Sequence, residues 1–301
     1  MVLRAKFPAF YKFLLRYFLS RLLRRNIPKA DIVFDFGCYR LFDSLDFVTA
    51  GYKIFFPVDD FATLQPDERG SDIVLTVSEN IQRKFPEGKC HFINHGLADS
   101  FVARAQKRSN MDLIAQRQAG VGKSLRVGYS GNIFIPFLDR EVMKRCLEEH
   151  RDLVFHFFGS SHPLNGNDQE WYDFLKRQEN VVLEGQKETA SLAESLESMD
   201  ILLVCYKPDY KNYHGENTHK MLEYLSTGRL VVSTHISYYQ QFDFLVMTEK
   251  DQNDGIVSML AVVKDNQSLL YNAARIRRQV RFALANSYDN RCQDIFELIG
   301  Y

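Results

Sequence analysis

The 301-residue chain contains no run of about 18–20 uncharged apolar residues, the length a helix needs to cross a bilayer, so no transmembrane helix is expected. Charges also break up the apolar residues near the N-terminus, so no signal-peptide core is expected there. Net charge is missing too. The 38 Lys and Arg balance 38 Asp and Glu, and no overall field directs the chain to nucleic acid. Cysteine is sparse. Cys38, Cys90, Cys146, Cys205 and Cys292 are odd in number and none lies at metal-ligand spacing. That argues against a disulfide framework or zinc site, and the expectation is buried, reduced thiols in a reducing cytosol. There is one Trp, and neither an internal repeat nor a low-complexity tract. No Gly-x-Gly-x-x-Gly follows an apolar run, which argues against a nicotinamide enzyme. Gly122-Lys123-Ser124 invites comparison with a phosphate loop, but Arg117 occupies the position of the required first glycine.

One absence is local. The first 30 residues hold eight basic side chains (Arg4, Lys6, Lys12, Arg16, Arg21, Arg24, Arg25, Lys29) and no acid, leaving 30 basic against 38 acidic residues in the remainder. Within this arm, Phe7, Phe10, Tyr11, Leu14, Phe18 and Leu22 recur at helical spacing, and Lys12, Arg16, Ser20 and Arg24 form a narrow opposing stripe. A helix over residues 3–25 is predicted, ended by Asn26-Ile27-Pro28. Aromatics and leucines combined with basic residues are the features of a helix lying on an anionic membrane surface. Packing onto the fold is the alternative.

Beyond the arm the chain alternates in character. Ile32–Phe36, Lys53–Val58, Ile73–Val77 and Cys90–Ile93 read as buried strands, with a short helix over Glu79–Lys84. Residues 102–124 are polar and read as a helix followed by a linker. Beyond them, strands at Leu125–Gly128, Leu153–Phe158, Val181–Leu183, Ile201–Cys205 and Leu230–Thr234 alternate with helices at Asp139–Glu149, Trp171–Gln178, Leu192–Met199 and Thr218–Thr227. Helices over 254–264, 266–283 and 288–299 close the chain. This rhythm implies parallel sheets flanked by helices, an α/β protein. The expected domains are 1–118, 119–285, and a terminal helix over 286–301 that crosses back to the first.

Ligands of such sheets bind beyond the carboxyl ends of the strands. Three loops of the second half qualify. In the first, Gly131 and Asn132 follow a strand, and glycine allows backbone N–H groups to approach a phosphate or sugar. A plain tight turn is the alternative. In the second, Gly185 and Gln186 could offer backbone groups to a base edge. The third leads from Tyr206 into the helix beginning near Asn217 and Thr218, whose free N–H groups suit a diphosphate. Lys220 adds a charge in the first turn, and Glu223, one turn on, can accept hydrogen bonds from vicinal ribose hydroxyls. A surface i,i+3 ion pair is the alternative for these two. Glu216 precedes the helix and is placed to touch a donor sugar. Asp59 and Asp60, after a strand of the first half, form a candidate acceptor-side pair, with a structural role as the alternative.

The stretch Asn217-Thr218-His219-Lys220-Met221-Leu222-Glu223-Tyr224-Leu225-Ser226-Thr227-Gly228-Arg229-Leu230-Val231-Val232 resembles the "K-x-x-E-Y-x-x-x-G-x-x-V-V" signature of GT-B glycosyltransferases of the group 1, family 4 type. Further pieces match in order: Asp72–Ser78, Ile93-Asn94-His95-Gly96, Val127–Ile133 with Leu138-Asp139, Phe157-Phe158-Gly159, Asn180–Gly185, and Asn286–Arg291 with Tyr288 in place of Trp. The resemblance covers roughly residues 70–299. It implies two Rossmann-like domains with a shortened N-terminal one, and a retaining, nucleotide-sugar-dependent hexosyltransferase without metal or other cofactor. It further implies that the residue matching Glu223 binds the ribose and the helix start binds the diphosphate. The acceptor expected from it is a glycan, lipid-linked or other surface-polysaccharide molecule, and the place the cytoplasm or the inner face of the cell membrane. Two departures stand out. The family's earlier glutamate falls on Gly215, with Glu216 one position off, and the family's N-domain histidine and Gly-rich acceptor loop have no match. An inactive partner subunit of the same fold, or a nucleotide-sugar epimerase, are the competing readings.

Overall fold

The computed structural model describes residues 7–27, 29–36, 48–57, 70–109, 124–160, 162–163, 165–207 and 217–301, with Pro8, Lys12 and Gln267 described by their backbone alone. The chain forms two compact units. The first comprises residues 1–94 together with 296–301, and the second residues 95–295.

In the first unit, α1 (Pro8–Asn26) precedes β1 (Ala30–Asp35), β2 (Ala50–Phe55), β3 (Ile73–Thr76), α2 (Glu79–Gln82) and β4 (Cys90–Phe92). The strands form one parallel sheet in the order β1-β2-β3-β4. β1 alternates between half-buried and exposed positions, whereas every residue of β3 is buried. The core is correspondingly small: Phe55, Val74, Ile81, Phe85 and Cys90. Ser78 caps α2 by accepting the Ile81 N–H at 3.1 Å.

The second unit opens with α3 (Asp99–Ser109). Then come β5 (Arg126–Ser130), α4 (Arg140–Glu149), β6 (Val154–Phe158), α5 (Gly166–Arg177), β7 (Val181–Gly185), α6 (Thr189–Glu197), β8 (Ile201–Val204), α7 (Lys220–Ser226), β9 (Leu230–Ser233), β10 (Val246–Met247), α8 (Gly255–Asp265), α9 (Ala273–Ala285) and α10 (Tyr288–Ile299), whose residues from Phe296 onward count with the first unit. Its six strands are parallel, in the order β10-β9-β8-β5-β6-β7. The winding reverses between β5 and β8, the Rossmann arrangement. Buried strands such as Ile201–Val204 and Leu230–Ser233 carry no polar alternation because helices cover both faces.

Some expectations are corrected. The compact units divide at 94/95 and not at 118/119, because α3 belongs to the second unit. Arg104 and Arg108 both pair with Glu197 of α6, at 2.7 and 3.0 Å, and Ala105 packs against Ile276 and Val280 of α9. Residues 110–123 of the expected linker lie outside the described residues. The single helix expected over 266–283 is a 3-10 turn (Gln267–Tyr271) followed by α9, which Asn272 caps by accepting from the Arg275 N–H. The 3-10 helix Ser237–Gln241 and the two-residue strand β10 were not expected. Cys90, Cys146 and Cys205 are buried free thiols, but Cys292 is exposed on α10, and Cys38 lies outside the described residues. Burial pushes the Cys90 and Cys146 thiols up to about 12. Among the described residues no helix is long and apolar enough to cross a membrane.

Candidate functional site

The reversal between β5 and β8 brings two strand exits side by side. The loop after β5 runs antiparallel to the chain leaving β8: Leu138 bridges Tyr206, Asp139 N–H donates to Cys205 O at 3.0 Å, and Lys207 N–H to Phe137 O at 2.8 Å. Asn253 braces both through its amide, on Asp139 Oδ2 at 2.8 Å and Tyr206 O at 3.0 Å.

Three glycines line the ends of neighbouring strands. Gly131 N–H donates to Phe158 O at 2.8 Å, and Gly159 N–H to Gly185 O at 2.9 Å. Gly131 has φ +120° and Gly185 +73°, conformations that favour glycine. Gly159 is required for a different reason: a Cβ there would lie 1.9 Å from the Gly131 carbonyl oxygen. Asn132 is exposed, and its side-chain oxygen accepts the Phe134 N–H at 2.9 Å, turning the chain. Gln186 is exposed beside Gly185.

Helix α7 enters this corner from β8. Its first turn is tight, with Met221 N–H on Thr218 O and Leu222 N–H on His219 O. The helix proper starts at Lys220, two residues later than expected, and ends at Gly228, whose φ of +63° confirms it as the terminating glycine. Lys220 is not half of a surface pair. It is only 5% exposed. Its Nζ donates to Ser130 O at 2.6 Å and lies over the rings of Tyr129 (4.4 Å) and Tyr206 (4.8 Å). A Cβ on Gly131 would come within 3.0 Å of that Nζ. The glycine therefore leaves room for that amine beside the loop. Burial lowers the Lys220 pKa to about 7, with Glu223 opposing.

Glu223 is partly buried. Burial raises its carboxyl to about 7, and the Lys220 charge pulls the other way. Among the described residues, no N–H or O–H donates to this carboxylate. A buried carboxylate without donors is costly in an isolated protein. Tyr224, next in sequence, fixes the other side of the corner by accepting from Ser130 N–H at 2.7 Å and Ser130 Oγ at 3.2 Å.

The geometry thus collects Gly131, Asn132, Lys220 and Glu223 at the β5 and β8 exits. Gly185 and Gln186 lie at the end of β7, joined to them through Gly159, and Asn217 and Thr218 lead into α7. Glu216, Asp59 and Asp60 fall outside the described residues. Sequence reasoning did not single out Tyr129 and Tyr206, which box in the amine. It also missed a histidine pair: His95 and His219 meet edge to face at 6.1 Å, and burial with the His219 charge lowers His95 to about 4. The signal for that pair was weak, since the two ordinary histidines stand 124 positions apart in the sequence. The Ile93–Gly96 and Asn286–Arg291 pieces also meet. Leu97 pairs with Ser287, and a Cβ on Gly96 would overlap the Tyr288 ring. Among the described residues no three His, Cys, Asp or Glu side chains converge as ligands of a metal would.

No family model matches the sequence, and no curated protein matches it either. Solved structures do. A glycosyltransferase from Rickettsia africae superposes with a TM-score of 0.67 at 13% identity, over 96% of this chain and 81% of that one. HepE from Anabaena, in complex with UDP and glucose, gives 0.62 at 11% identity, over 83% and 71%. WaaG, a glycosyltransferase involved in lipopolysaccharide biosynthesis, gives 0.64 at 12% identity, over 95% and 82%. At such identities the likeness is one of architecture, and the architecture is that of the GT-B glycosyltransferases: two Rossmann-like units of parallel sheet flanked by helices.

Proposed function

We propose that the chain transfers a hexosyl group from a nucleotide-diphosphate sugar to a glycan, lipid-linked or other surface-polysaccharide acceptor, with retention and without a metal or other cofactor. The observation that carries this reading is Glu223: a partly buried carboxylate with no donor among the described residues, one turn from a buried lysine, beside the loop where the winding of the sheet reverses. Vicinal ribose hydroxyls would supply the missing donors. Lys220 and the backbone N–H groups around Gly131 would face the diphosphate, whose departing charge they would stabilise as the glycosidic bond breaks. The neighbours' own ligand, UDP in HepE, agrees with this assignment. Asp59, Asp60 and Glu216 remain candidates on the sugar and acceptor side. Free buried thiols fit a cytoplasmic site, at the inner face of the cell membrane if the acceptor is lipid-linked.

The test is a thermal-shift panel of UDP-, GDP-, ADP- and dTDP-sugars, followed by calorimetry on Glu223→Gln. A ligand at 100 times its dissociation constant stabilises by about 2.7 kcal/mol. The substitution removes a charge-assisted hydrogen bond and should cost about 1.5–3 kcal/mol of nucleotide affinity with the fold intact. Unchanged affinity would remove Glu223 from the site. Nucleotide binding without turnover by the isolated chain would favour an inactive partner subunit.

A further inference from the structure

The geometry points to Glu184 and Lys187 as positioning residues for the base of the donor nucleotide. Their ion pair closes a ring around Gly185 and Gln186 and fixes how those two residues meet a base edge. This rests on the donor-site reading above and adds two residues to it. Glu184 is the bulged residue of β7. Phe157 pairs with Leu183 and Phe158 with Gly185, so Glu184 is skipped by the ladder. A bulge re-aims a side chain and bends the strand end. Here it brings both carboxylate oxygens to partners: Oε1 to His156 Nδ1 of β6 at 2.9 Å, and Oε2 to Lys187 Nζ at 3.0 Å. Burial pushes the Glu184 carboxyl up, but the hydrogen bonds from His156 and Lys187 outweigh it and hold the pKa below its ordinary value. An ionised carboxylate only accepts, so His156 Nδ1 carries the hydrogen.

Lys187 is pinned on three sides. Besides Glu184, its Nζ donates to Ser195 Oγ of α6 at 3.1 Å and lies 5.1 Å from the ring centre of Phe158, which stacks on His156. The Gly185 carbonyl is a further tether, taken by Gly159 N–H. The four-residue ring is thus held to β6 at one end and to α6 at the other. Gln186, between the fixed ends, is exposed, and its backbone N–H and C=O make no hydrogen bond among the described residues. Those are the groups left to read a base. The competing account is a stitch that merely secures the edge strand β7. Glu184 and Lys187 are only 25 and 27% exposed, and ions so far from water are poor stabilisers, though they fix geometry well. They also sit at the carboxyl end of the strand, where ligands of such sheets bind.

Calorimetry of the full chain with UDP, GDP, ADP, dTDP and inorganic pyrophosphate decides between them. The parent should prefer one base over the others. Glu184→Ala and Lys187→Met should each weaken the preferred nucleotide by on the order of tenfold and narrow the discrimination among the four, with pyrophosphate affinity unchanged. Lys187→Arg keeps the charge and should keep the preference. A preference that survives both disruptive variants overturns the inference, as does an equal loss for nucleotides and pyrophosphate. A parent chain that binds nucleotides no better than pyrophosphate overturns it too, while leaving the diphosphate side of the site standing. One that binds none of the five removes the donor-site reading, and this inference with it.

Discussion

Lys220 and Glu223 place two opposite charges in one half-dry corner, and both are displaced toward neutrality. Glu223 rises from 4.5 to about 7, so the folded chain keeps a proton that the unfolded chain has already lost. Its contribution to stability is present below pH 4.5 and is lost as pH rises through about 7. Lys220 falls from 10.5 to about 7, and its contribution is present above pH 10.5 and lost as pH falls through about 7. From this pair alone, the ligand-free protein is least stable near neutral pH. Nucleotide binding needs the reverse state, a charged amine for the diphosphate and a charged carboxylate for the ribose. Affinity for a nucleotide sugar, whose diphosphate does not titrate in this range, should therefore peak near pH 7. Calorimetry across pH should show Glu223→Gln losing the acidic limb and Lys220→Met losing the alkaline one. A flat profile for the parent chain would contradict this.

At the scale of elements, the site depends on how closely the ends of β5 and β6 approach. Gly159→Ala should push the Gly131 carbonyl away, because the new methyl would meet backbone and not a yielding side chain. The expected cost is about 1–3 kcal/mol of stability, together with weakened nucleotide binding as the loop shifts. Gly185→Ala meets nothing within 4 Å and should cost only about 1 kcal/mol, from its positive φ. Thermal melts of the two variants, with and without nucleotide, separate these effects. The contrast also marks what the sequence could disclose. Strands such as Ile73–Thr76 and Leu230–Ser233 were legible as short, mostly apolar runs rich in Val and Ile, and Glu223 was legible through its spacing from Lys220 and Gly228. The order of the strands was not, since it is settled by packing between segments far apart in the chain. For the same reason the deep burial of Lys220 was not legible. Its neighbours Ser130 and Tyr129 lie about 90 residues away, and only the fold brings them beneath it. Arg104 and Arg108 likewise gave no sign that Glu197 would draw α3 into the second unit.

For the molecule as a whole, the proposed chemistry relies on charges built into the chain. Transfer should survive EDTA, because the Lys220 amine and the N–H groups near Gly131 would do the work of a cation. Activity abolished by chelation and restored by Mn²⁺ or Mg²⁺ would show that a metal carries the diphosphate. The zero net charge is itself a balance of a basic N-terminal arm against an acidic remainder. The lone tryptophan has a separate use. Trp171 is buried, stacks on Phe174 at 5.6 Å, and donates its indole N–H to Ile133 O at 3.1 Å, two residues beyond Gly131. Light absorbed at the red edge of the near-ultraviolet excites this one indole and no other. The emission of the unlabelled chain therefore reads out a single address, the back of the loop against which a nucleotide would settle.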